Sequence, residues 1–161
     1  FGDALAAAVV LSMVGEGLPM IYCGQEAGNT RRLAFFDRDP ITWQQHPMAD
    51  FYRRLIALRR GCPTLWNAPW GARMHWVPND APTRVLSFVR DDGRQRVLAV
   101  LNLSADPVDV TCSGPLHAGL YTDALGTDVV RVEPTARMTL PAWGYRVLIG
   151  DSATGVRPSR Q

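Results

Sequence analysis

Apolar and polar positions follow two different periods along the chain. Residues 4–14, ALAAAVVLSMV, are apolar on nearly every face and follow Asp3, a suitable N-cap, so the pattern predicts a helix ended by Gly15 and Gly17. A helix with so little polar face has to be buried widely or covered by further chain. Leu18 to Cys23 is apolar without alternation and opens with Pro19, which predicts a strand of a parallel sheet covered on both faces. Gly24 to Gln45 has no clean period, and its aromatic residues Phe35, Phe36 and Trp43 argue for an ordered loop. Next, Phe51, Leu55 and Leu58 fall at i, i+4 and i+7, with Pro47 in the first turn, Gly61 at C′ and Pro63 just beyond, which predicts a second helix.

From about residue 72 the pattern changes period. RVLSFVR (84–90) and QRVLAVLNL (95–103) flank Asp91-Asp92-Gly93, the signature of a β-hairpin. Further short runs at 108–112, 119–122, 129–132, 137–140 and 145–149 are separated by Asp106-Pro107, Gly114-Pro115, Gly126-Thr127 and Pro134. Regularly spaced short strands with turn residues between them predict an antiparallel sandwich. The pattern therefore divides the chain into a helix–strand–loop–helix part over 1–71, a sandwich over 72–150 and a disordered tail over 151–161. Trp66, Trp70 and Trp76 sit at the junction and are expected to pack between the two parts.

Composition narrows the class of partner. The net charge is +2, and all 17 basic residues are arginines, scattered except for Arg53-Arg54 and Arg59-Arg60. That spread lacks the patch or stripe a nucleic-acid surface needs, and no apolar run approaches the ~20 residues of a membrane span. Neither nucleic acid nor membrane is expected as a partner. Cys23, Cys62 and Cys112 lie far apart without metal-ligand spacing and read as free thiols. The chain starts without Met, just before a helix, as if cut from something longer. The compartment is left open.

The stretch GLPMIYCGQEAG (17–28) resembles the segment around the eighth strand of the α-amylase family, glycoside hydrolase family 13. The later motifs also come in a similar order: an aromatic loop ending in DPITW, the helix FYRRLIALRRGCPTL, and a closing LPAWGYRVLI like the last strand of the family's C-terminal sandwich. The resemblance implies an α+β fragment, the terminal β/α unit of a (β/α)8 barrel followed by an all-β antiparallel sandwich. Barrel active sites are built at the carboxyl ends of the strands, which is where Gln25 and Glu26 fall. It also implies that the full-length protein hydrolyses or transfers α-glucosidic bonds with retention, on α-glucan oligosaccharides or starch. The three carboxylates that carry the family's chemistry precede the residues matched here. No catalytic residue is therefore assigned, and the chain alone is expected to be inactive. Its natural companion would be the missing N-terminal part of the same barrel.

Candidate substrate contacts come from the loop. Arg38, Ile41 and Trp43 keep a spacing like the family's Arg-x-x-Met-x-Trp, whose Arg can reach sugar hydroxyls, although Ala34 replaces the acid commonly found four residues earlier. A salt bridge from Arg38 to Asp37 or Asp39 is the structural alternative. Arg32, beside Arg31, is a second cation within reach of sugar. Glu26 either hydrogen-bonds the loop or contacts substrate. Phe35, Phe36 and Trp43 either stack on pyranose rings or pin the loop through apolar burial. No calcium loop with the required ligand spacing is present and no cofactor is expected within this chain; calcium is left open for the full-length enzyme. Two rival readings stand beside this one: a free-standing carbohydrate-binding sandwich, and a barrel relative that has lost its activity.

Overall fold

The computed structural model describes residues 2–34 and 36–152. It contains helices α1 (Leu5–Val14) and α2 (Pro47–Gly61) and eight strands: β1 (Met74–Trp76), β2 (Val85–Asp91), β3 (Gln95–Asn102), β4 (Val108–Ser113), β5 (Gly119–Asp123), β6 (Val129–Val132), β7 (Thr135–Leu140) and β8 (Tyr145–Asp151). Six strands form one antiparallel sheet in the order β1-β2-β3-β8-β5-β6, and β4 pairs with β7 as a two-stranded ribbon. Phe35 and the tail from residue 153 lie outside the described residues, whereas Asp151, expected in the tail, ends β8.

The large sheet is covered on both faces, and β3 shows why. Its residues from Arg96 to Asn102 are all buried. Val97, Ala99 and Leu101 face Val9, Val10, Met13, Tyr52 and Leu55 of the two helices, with Phe88 and Val147 beside them. Leu98 and Val100 face Val108, Val110 and Leu140 of the ribbon. The molecule thus has three layers, helices, sheet and ribbon, with a core on each side of the sheet. Burying a Val or Leu side chain contributes about 1.5–3 kcal/mol, so both interfaces stabilise substantially.

The hairpin forms as expected around Asp91-Asp92-Gly93. Gly93 takes φ 86°, while the Asp92 carboxylate accepts from the backbone N–H groups of Arg94 and Gln95. Beneath it Arg96 and Asp91 form an ion pair at 2.7 Å whose side chains are only 7% and 9% exposed. Burial alone would raise the Asp91 pKa, but hydrogen bonds from Gly93 N–H, Arg96 and Ser152 hold it below the usual carboxylate range.

Four local expectations change. Asp3 lies in a short 3-10 turn, Gly2–Ala4, and Ala4 occupies the N-cap of α1 without a side-chain cap. Gly61 is the last helical residue of α2, and Cys62 follows as the cap in an extended conformation. Trp66, Trp70 and Trp76 stay exposed, because the contact between helices and sheet is made by Cys62, Leu65 and Phe88. Finally, residues 18–23 form no strand among the described residues. A strand exists only through hydrogen bonds to a neighbour, and all eight strands are already paired with one another. Leu18 is therefore 86% exposed and Met20 78%.

Candidate functional site

The loop after Cys23 starts with a tight turn built by its own backbone. Gly24 (φ 95°) and Gly28 (φ 69°) bend the chain so that the N–H groups of both Ala27 and Asn29 reach the Gly24 carbonyl. At Gly28 the bend also requires the absence of a side chain, because a Cβ there would lie 2.5 Å from the His46 ring. His46 in turn caps α2, its Nδ1 accepting from the Met48 N–H at 3.2 Å.

Polar side chains lock the turn to its surroundings. Gln25 Oε1 accepts from Tyr22 N–H at 2.9 Å and from the Tyr52 hydroxyl at 3.2 Å, which joins the turn to α2. Glu26 is half-buried and accepts from Gly24 N–H at 3.1 Å. Burial, and then the Glu26 charge, raise the Tyr52 pKa, so the hydroxyl remains a donor through the neutral range. Farther along, Arg31 pairs with Asp39 at 2.6 Å and donates to the Pro40 carbonyl, while Asp39 also accepts from Ala34 N–H. The Arg31 hydrogen bond, then that of Ala34, draw the Asp39 carboxyl below its ordinary value. Gln44 closes the loop by donating to the Ala27 carbonyl.

All five candidates, Glu26, Arg32, Phe36, Arg38 and Trp43, sit on this single loop. Arg32 and Arg38 are exposed, Phe36 is 93% exposed and Trp43 61%. Among the described residues, no hydrogen bond or ion pair joins any two of Glu26, Arg32, Arg38 and Trp43. The bridge considered for Arg38 is formed by Arg31 instead, since Arg31 satisfies Asp39. No local sequence signal marks Gln25 and Tyr52 as the loop's anchors, because the contact spans 27 residues and Tyr52 lies outside the Phe51–Leu55–Leu58 stripe. An apolar groove of about 360 Å³ along Pro19 and Ile21 and a second one beside β5 and β8 are both lined without loop residues. No three His, Cys, Asp or Glu side chains among the described residues group as a metal site would require. Nor is any described helix long and apolar enough to cross a membrane.

A second pair of anchors holds the base of this region. Arg90 of β2, 1% exposed, and Arg59 of α2 both donate to carbonyls where α1 ends. Nothing in the local sequence pattern marks them, because the Arg90 partners lie up to 76 residues away.

Residues 74–147 match the family described as the maltogenic amylase C-terminal domain. Among curated proteins, the chain is 24% identical over 132 residues to "Alpha-amylase 2" of Dictyoglomus thermophilum, an alignment covering 74% of this chain and 22% of that protein. It is 30% identical over 131 residues to a 1,4-alpha-glucan branching enzyme, GlgB, of Leifsonia xyli, covering 70% of this chain and 16% of that one. The matches thus span about a fifth of the curated relatives' length. Among solved structures, the maltogenic α-amylase AmyB from Thermotoga neapolitana superposes with a TM-score of 0.79 at 20% identity, covering 95% of this chain and 37% of that one. AmyP in complex with maltose superposes with a TM-score of 0.69 at 16% identity, covering 93% of this chain and 35% of that one. At these identities the structural likeness establishes the fold alone.

Proposed function

Because the chain carries a C-terminal domain of the α-amylase family, glycoside hydrolase family 13, we propose that it is the carboxyl-terminal part of a retaining α-glucan-acting enzyme. Residues 1–71 are the end of its (β/α)8 barrel, and Leu18–Cys23 is the segment that becomes the eighth strand once its neighbours are present. Residues 72–150 are the C-terminal sandwich. The observation that carries this reading is the reach of the fold match: it extends over 95% of the chain, so it takes in the helical part as well as the sandwich. A free-standing binding module would give no reason for the exposed apolar run Leu18, Met20 and Tyr22.

On this reading the loop 24–45 lies at the carboxyl end of the last barrel strand, where barrel enzymes bind substrate. Arg38 and Arg32 offer guanidinium donors to sugar hydroxyls, and Phe36 and Trp43 offer exposed aromatic faces for pyranose rings. Glu26 and Gln25 hold the turn that presents them. The substrate is an α-glucan oligosaccharide or starch, the class to which the maltose and maltotriose in complexes of similar fold belong. A retaining glycosidase needs two carboxyl groups ~5–5.5 Å apart, one to attack the anomeric carbon and one to protonate the leaving oxygen. The family's carboxylates lie upstream of the matched residues, so the 161-residue chain alone has no turnover. Reducing-sugar release from maltoheptaose, assayed for this chain and for the full-length protein, tests the reading. Release by the full-length protein only is expected; release by this chain alone, or by neither, contradicts it.

A further inference from the structure

Arg90 is an arginine buried against carbonyls instead of a carboxylate. Its Nε donates to Ala72 O at 2.9 Å, Nη1 to Val14 O at 3.1 Å, Gly15 O at 2.8 Å and Leu65 O at 3.2 Å, and Nη2 to Trp66 O at 2.6 Å. No ion pair to Arg90 is present among the described residues. Five carbonyl dipoles offset its charge, two of them at the carboxyl end of α1, where unsatisfied carbonyls carry about half a negative charge. Arg59 adds a second guanidinium at the same place, donating to Met13 O at 2.6 Å and Gly17 O at 2.7 Å. Burial, and then the positive charge of Arg59, lower the Arg90 pKa, with Glu16 opposing.

An apolar side chain would fill the Arg90 position without desolvating a charge, as Phe88 does two residues earlier on the same strand face. Arginine instead fixes geometry, because its planar fork meets several acceptors only in one arrangement. Two of those acceptors, Val14 O and Gly15 O, lie where α1 ends and the chain turns toward the apolar segment 18–23, which leads directly into the loop 24–45. The other three, Leu65 O, Trp66 O and Ala72 O, belong to the connection between α2 and β1. The far end of segment 18–23 is held from α2, through Gln25 and Tyr52. That segment is therefore gripped at both ends, and at its base Arg90 of the sandwich shares the grip with Arg59 of α2.

We propose that Arg90 is a positioning residue through which the C-terminal sandwich, by clamping the end of α1 together with Arg59, sets the placement of the substrate-binding loop 24–45. The proposal rests on the reading of that loop as part of an α-glucan site, and it assigns the sandwich a part in substrate affinity besides cohesion. Arg90 and Arg59 contact no substrate and act through the backbone they hold.

The test uses Arg90→Lys and Arg59→Gln, the milder changes, because Arg90→Met would take the donor from five carbonyls, three of them in buried hydrogen bonds, and endanger folding. In the full-length protein, with maltoheptaose as the probe, each variant is expected to raise KM about tenfold with a smaller change in kcat, as misplacement of a binding loop does. In the 161-residue chain, amide exchange at Ser12–Gly15 should accelerate about tenfold, while exchange at Val97–Leu101 moves only with global stability. Unchanged exchange at Ser12–Gly15 overturns the clamp. Faster exchange there with an unchanged KM overturns the positioning role and leaves cohesion alone. Should the full-length parent fail to act on maltoheptaose, the glucan reading of the loop falls, and the exchange measurement still decides the clamp.

Discussion

His117 is fully buried, and neither ring nitrogen has a hydrogen-bond partner among the described residues. The Glu133 carbonyl approaches the ring without reaching hydrogen-bond geometry, while the Tyr121 hydroxyl donates to the residue's own carbonyl at 2.9 Å. Burial, reinforced by the Arg96 charge, holds the His117 pKa below its ordinary 6.5. The unfolded chain therefore binds a proton below pH 6.5 that the native chain resists. Stability is complete above that value and declines as the pH falls beneath it. A urea midpoint that drops between pH 7 and 5, and drops less in His117→Gln, is the expected result. Equal slopes in the two proteins would remove His117 as the cause. Asp91 acts in the same direction lower on the scale, because its depressed folded pKa contributes stability that is lost as the pH falls through the carboxylate range. Its pairing with Arg96 is buried, so Asp91→Asn leaves an uncompensated guanidinium and should cost about 3–5 kcal/mol at pH 7 by chemical denaturation. A cost below 1 kcal/mol would mean that solvent reaches the pair.

At the scale of elements, the interface between helices and sheet decides how far the two parts of the chain are separable. Leu55 of α2 is fully buried in the core that also holds Val97, Leu101 and Phe88. Leu55→Ala should therefore cost about 2–5 kcal/mol and lower the melting temperature of the whole chain in one transition. A separate early transition, with the sheet melting unchanged, would show that the helices contribute nothing to the sheet. The same interface explains which elements the sequence announced. The hairpin at 91–93 and helix α2 carry their signals locally, in Asp-Asp-Gly and in the Phe51–Leu55–Leu58 stripe. The unbroken apolar run of β3 resembled that of 18–23, yet only β3 is a strand here. Its run is apolar because helices cover one face and the ribbon the other, and it has partners in β2 and β8. Residues 18–23 are also apolar but have no such partners. Arg90, Arg59 and the Gln25–Tyr52 contact were not legible, since each joins positions far apart in sequence and leaves no periodic trace. Of the candidate site, the loop and its charged and aromatic residues could be read. Which arginine would take Asp39 could not, because Arg38 is its neighbour in sequence while Arg31, which pairs with it, lies eight residues away.

For the whole molecule, the central claim is that residues 1–71 end a barrel whose other strands come from elsewhere in the full-length protein. Leu18, Met20 and Tyr22 expose apolar side chains that such neighbours would cover. In the proposed barrel, the backbone groups of Met20 and Ile21 would gain the strand partners that they lack here. Each buried polar group left unpaired would cost about 1–3 kcal/mol, so burial and pairing must arrive together. Amide hydrogen exchange at Met20 and Ile21, measured in the 161-residue chain and in the full-length protein, tests this most directly. Exchange near the unprotected rate is expected in the chain, and strong protection in the full-length protein. Strong protection in the monomeric chain, or fast exchange in the full-length protein, would contradict it.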